Sequence, residues 1–194
     1  TVHESCHGIN SDIRNDLKVD NGYYLGQDRA ITFSNPKFTK DKVVAFIPQR
    51  FRGNRFNTYI IGQTEWNDQV LYIFDEWCAY CAGTDTAVDL NKIGNNQPQG
   101  TDIAFGPAEF TTYAISVYLA AKKYDPDYFT REPNFVPFLK FNVQRALELS
   151  SSCQKVFPWT GLNSYIEDIR KEPLYADVLT DNPDTIPDIF NPFR

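Results

Sequence analysis

The 194-residue chain contains no methionine, only two histidines and four cysteines. Without an initiator it reads as a mature, trimmed or excised product. No charged segment followed by an apolar run opens it, so a signal peptide is either removed or was never present. No apolar stretch is long enough to span a bilayer. Basic residues are outnumbered, 19 Lys and Arg against 25 Asp and Glu, for a formal net charge of −6. The scattered cations form no stripe able to neutralise a phosphate backbone. A membrane span and a nucleic-acid partner are therefore not expected.

What is present builds a core. Hydrophobic residues make up 42% of the chain and aromatics 15%, too many for a disordered segment. The length suits a single domain over 1–194. Cys6, Cys78, Cys81 and Cys153 are an even number, compatible with two disulfides in three connectivities, and favour a secreted or periplasmic location.

Ile9, Ile13 and Leu17 recur every four residues with polar neighbours, predicting a helix over about 2–17. Asn21-Gly22 supplies a turn. Short β-prone runs at Gly22-Tyr-Tyr-Leu-Gly, Ala30-Ile-Thr-Phe, Val43-Val-Ala-Phe-Ile and Thr58-Tyr-Ile-Ile predict a small antiparallel sheet across 22–61. Helical spacing returns over 67–83, where Val70, Leu71, Phe74, Trp77, Cys78 and Cys81 form a wide apolar stripe. A polar loop follows over 94–106. Pro107 is well placed as the first residue of a helix to Lys123, and helices near 135–150 and 162–171 complete a helical half over 107–172. An irregular arm is expected at 181–194. The fold class is α+β, a small sheet with a mostly helical C-terminal half.

Both histidines fall in His3-Glu4-Ser5-Cys6-His7, an H-E-x-x-H pattern. Four residues apart on a helix they project from one face, so two imidazoles can reach one cation from a rigid element. Glu4 would lie beside the open coordination position as a general base. A catalytic zinc needs a third protein ligand, and no third histidine exists, so an acid or a thiolate must serve. Glu76 is the best candidate, because an unpaired carboxylate amid bulky apolar residues would be out of place without a cation. Its neighbour Asp75 projects elsewhere and is expected to meet a cap, an arginine or solvent if Glu76 faces the site.

These residues, with Asp75-Glu76-Trp77-x-Ala79-Tyr80, resemble the gluzincin-type zinc metallopeptidases, in which a second helix donates a glutamate to the metal. The resemblance covers two short windows. It implies a zincin-like fold and a Zn²⁺ cofactor held by His3, His7 and Glu76. It further implies hydrolysis of peptide bonds in a peptide or protein substrate by metal-activated water, with Glu4 as base. Departures are also plain: the motif begins at the third residue, and Asn10 and Ile13 stand where a metzincin has Gly and His. Asp85 and Asp89 are reserve ligands.

Tyr72 and Tyr80 share the helical face of Glu76, and either phenol, Tyr80 foremost, could donate to a developing oxyanion. Cys78-Ala79-Tyr80-Cys81 has redox-motif spacing but lies inside a predicted helix, not at its positive end. Disulfides from Cys6 to Cys78 or Cys81 would instead tie the ligand helices together. Arg50, Arg52 and Arg55 form a local basic loop, expected at a solvated hairpin tip or against an acidic substrate. The alternative to an enzyme is a secreted binding or structural module with an incidental or structural metal site.

Overall fold

The computed structural model describes residues 1–95 and 100–179; the arm expected at 181–194 lies outside them. Helix α1 (Val2–Leu17) is opened by Thr1, whose Oγ1 accepts the Glu4 N–H, and closed at Lys18 in the left-handed region, with φ 55°. Its buried face is Cys6, Asn10 and Ile13, whereas Leu17 of the expected stripe is 46% exposed. The face is turned because Asn10 uses both ends of its amide inside the fold. Its Nδ2 donates to Asp75 Oδ1 at 2.7 Å and its Oδ1 accepts the Tyr24 N–H at 2.6 Å.

Strands β1 (Asn21–Gly26) and β2 (Arg29–Phe33) form one antiparallel hairpin, pairing Asn21 with Phe33 and Tyr23 with Ile31. Gln27 and Asp28 at its tip both have positive φ, the backbone twist a two-residue hairpin loop requires. Gly22 lets α1 lie on the hairpin, since a Cβ there would sit 2.5 Å from Ile13 Cγ2.

The expected sheet ends here. Val43-Val-Ala-Phe-Ile lies partly in a short helix α2 (Asp41–Val44), and Thr58-Tyr-Ile-Ile lies in a π-helical turn over Phe56–Gly62. The physical reason is spacing: Val43, Ile47, Phe51, Phe56 and Ile60 are the buried positions, four or five apart instead of alternating. Lys40, 2% exposed, fastens the π-helical turn by donating from Nζ to Tyr59 O at 3.0 Å and to Gln63 O.

The helices of the remaining described residues are α3 (Tyr72–Lys92), α4 (Thr101–Tyr124), α5 (Tyr128–Arg131), α6 (Phe135–Val156), α7 (Leu162–Arg170) and α8 (Ala176–Leu179). None of these is long and apolar enough to cross a membrane. The fold is thus α+β in the coarse sense, mostly helical with one hairpin.

Central α3 is buried on several sides, packed on α1 at one face and on α4 and α6 at others. Its second half continues past the expected end at 83. Helix α4 begins six residues before Pro107, which the sequence placed at its start. A proline inside a helix removes the hydrogen bond to the carbonyl four residues back. Here that carbonyl, Ile103 O, accepts the Thr84 hydroxyl of α3 at 2.5 Å. Trp77 Nε1 then donates to Pro107 O at 3.1 Å, and Gly106 admits the Tyr80 ring so closely that a Cβ would lie 2.7 Å from Tyr80 Cγ.

All four cysteines are buried and free, so the expected crosslinks between the ligand helices are not formed. Packing and hydrogen bonds hold α1 on α3 instead. Burial pushes the Cys81 thiol up to about 12, and burial with the nearby Asp75 charge does the same to Cys6. Burial raises Cys78 well above its ordinary value too, so neither thiol of the Cys78–Cys81 spacing has the thiolate character of a redox pair.

Candidate metal centre

His3 and His7 project from the first turns of α1 toward Glu76 in the first turns of α3. The two Nε2 atoms are 3.1 Å apart, and each lies 3.6 Å from Glu76 Oε2. Among the described residues these three are a group of metal-ligating type whose donor atoms all lie within 4.8 Å of one another. A tetrahedral zinc with bonds of about 2.0–2.1 Å sets its ligand atoms about 3.4 Å apart. The observed triangle brackets that spacing.

The rest of each side chain is fixed from behind. His7 Nδ1 contacts Asp75 Oδ1 at 2.8 Å, which leaves Nε2 as the nitrogen turned to the shared point. The same Oδ1 accepts Asn10 Nδ2, and Oδ2 accepts Arg14 Nη1 at 2.7 Å. Every oxygen of Asp75 is therefore engaged. Glu76 differs: Oε1 accepts the Tyr72 hydroxyl, whose ring stacks on Trp66 with centroids 4.2 Å apart, while buried Oε2 has no hydrogen-bond partner. An orphaned carboxylate oxygen on a residue 5% exposed is unfavourable unless a positive charge faces it.

The electrostatics favour that charge. Burial alone would raise the Glu76 carboxyl, but the His3 and His7 imidazoles 3.6 Å from Oε2 and the Tyr72 hydroxyl on Oε1 outweigh it and hold the group at about 2. Burial would lower the His7 imidazolium, yet Asp75 and Glu76 lift it to about 10. Asp75 behind Nδ1 and Glu76 beside Nε2 thus both favour positive charge on the His7 ring.

A cavity of ≈ 560 Å³ opens over this point, and the exposed Glu4 lines it beside His3 and His7. Tyr80, the expected oxyanion donor, sets its ring edge-on to His3 at 4.6 Å, with its hydroxyl 3.0 Å from that of Tyr59. Tyr59 rides on the π-helical turn fastened by Lys40. Asp85 and Asp89 stay apart from the cluster; Asp89 pairs with Lys92 at the surface. The basic loop is not free either. Arg52 donates to the carbonyls of Ile47 and Val44, Arg50 pairs with Glu172, and Arg55 pairs with Asp102 and Glu109.

His3, Glu4, His7 and Glu76 are therefore brought to one place, as the motif and the buried acid indicated. The supporting roles of Asn10, Arg14 and Tyr59 were not read from the sequence. Asn10 and Arg14 had a signal, since 3, 7, 10 and 14 form a polar stripe at helical spacing. Tyr59 had none. No family model matches the chain, and neither a curated protein nor a solved structure does.

Proposed function

We propose that the protein is a zinc-dependent hydrolase of peptide bonds, with His3, His7 and Glu76 holding the ion. The observation that carries this reading is the buried, unpartnered Glu76 Oε2 facing two imidazole nitrogens at zinc-ligand spacing, beneath a cavity that Glu4 lines. When bound, zinc supplies Lewis acidity, polarising a carbonyl and acidifying water.

The chain's own residues supply the rest. Glu4 accepts a proton from the attacking water and returns it to the leaving amine. Asp75 keeps the His7 ring oriented through Nδ1, and Tyr72 fixes one Glu76 oxygen so that the other faces the ion. The hydroxyl pair of Tyr59 and Tyr80, beside His3, offers a neutral donor for the oxyanion. Burial, and for Tyr59 the bond to Tyr80, raises both phenols above their ordinary value, which keeps them protonated donors.

Glu4→Gln is the test. The variant should fold and load zinc as the parent does, while peptide hydrolysis falls about 10²-fold or more, the scale of general base catalysis. Unchanged hydrolysis rejects Glu4 as the base. A parent protein that loads zinc and cleaves no peptide leaves the non-catalytic module in place of the enzyme.

A further inference from the structure

We propose that a second cavity beside the metal centre is a specificity pocket for an apolar side chain of the peptide substrate. The proposal rests on the hydrolase reading for the chemistry next to the pocket. The cavity, ≈ 480 Å³, shares His3, Glu4 and Tyr59 with the first, so the two meet at the metal-binding edge of α1. Its volume falls among those of sites that take small organic groups.

Its walls are more apolar than those of the first cavity. Val2, Ala87, Leu90 and Ile103 line it, and Val2 and Leu90 are large apolar side chains left 42% and 37% exposed. Several polar groups of the same walls are already engaged. Thr1 Oγ1 accepts the Glu4 N–H, Thr86 Oγ1 donates to Ala82 O at 3.0 Å, the Tyr80 hydroxyl meets Tyr59, and the Asp102 carboxylate is paired with Arg55. The neighbouring cavity instead carries Ser11, Asp20 and Gln69. A substrate lying across His3 therefore meets a polar side and an apolar side, and its apolar side chain belongs in the second cavity.

Gly83 supports this. It sits in the interior of α3, where glycine is unfavourable, and packing does not require it. A Cβ there would lie 3.6 Å from Ile103 Cδ1 and 3.8 Å from His3 Cβ, ordinary contact distances. Gly106, pressed by the Tyr80 ring, has no such latitude. Gly83 lines the cavity, so a longer side chain there would take up space between Ile103 and His3.

The test is isothermal titration of the full chain, with and without one equivalent of zinc, using acetyl-Gly-Gly-X-Gly-Gly-amide peptides with X as Leu, Phe, Asp or Lys. Zinc content is measured in parallel. The Leu and Phe peptides should bind about 10-fold or more tightly than the charged pair, the discrimination a hydrophobic pocket affords. Gly83→Leu, which places a side chain between Ile103 and His3, should abolish the difference. Leu90→Asp, on the exposed rim where folding is not at stake, should reduce it several-fold. Equal affinity for all four peptides, including no measurable binding, overturns the proposal, as does a preference that survives both variants. A Leu and Phe preference lost in both variants, in a parent protein that takes up no zinc, overturns the hydrolase reading and leaves the pocket standing.

Discussion

Toward α4, helix α3 presents Trp77 with its indole N–H on Pro107 O, Thr84 on the Ile103 carbonyl, and Tyr80 against Gly106. Toward α1 it presents Asp75 and Glu76, adjacent acids only 4% and 5% exposed. The first interface satisfies the Trp77 indole, the Thr84 hydroxyl and the carbonyl that a proline orphans. The second closes all of Asp75 and half of Glu76. Since native interiors rarely leave a buried carboxylate oxygen without a partner, the open half of Glu76 marks the α1 side of the helix as the candidate binding surface. The same contrast holds for two glycines: Gly106 is required by the ring against it, and Gly83 is not.

The contrast can be broken first at the closed interface. Trp77→Ala removes a fully buried indole and its hydrogen bond and should destabilise the protein by about 4 kcal/mol. For a chain of this length that corresponds to a melting temperature lower by roughly 10 °C, measured by calorimetry. Glu76→Gln attacks the open interface and should act the other way round. Zinc affinity should fall about 100-fold or more, by competition with a chromophoric chelator, while stability of the metal-free protein stays within about 1 kcal/mol of the parent, because the cost of burying the carboxylate disappears together with its 3.6 Å pairs to the imidazoles.

Asp75→Asn sharpens the comparison between the neighbours. It should weaken zinc about 10–100-fold through the His7 ring, and unlike Glu76→Gln it should also cost about 2 kcal/mol of stability by weakening charged bonds to Arg14 and His7. If the two acids behave alike in both measurements, the division of labour fails. The smallest effect is expected at Tyr72→Phe. That variant frees Glu76 Oε1 and should lower zinc affinity about 10-fold, with no loss of fold.

Much of the candidate metal centre was legible because its signals are local. Two histidines four apart on a periodic segment share a helix face wherever that helix lies, and an acid amid Phe74, Trp77 and Cys78 needs a counter-charge in any fold that buries them. The sheet was overestimated because β-branched and aromatic composition in 43–61 outweighed a spacing of four to five between the residues that are buried. The start of α4 was misplaced because a proline normally opens a helix, and the hydroxyl that compensates for it here comes from another helix. The stripe on α1 was turned because Asn10, polar by type, found partners for both ends of its amide.

The cysteine count suggested crosslinks because an even number permits pairing, but it carries no information about which sulfurs approach.

By itself the sequence determined the helix that pairs the imidazoles, the Glu4 beside them, and the presence of two acids in a segment bound to be buried. Only the tertiary structure decided which acid faces the nitrogens and which stands behind His7. Adjacent residues on a helix point about 100° apart, so the docking of α3 against α1, set by contacts far along the chain, chooses between them.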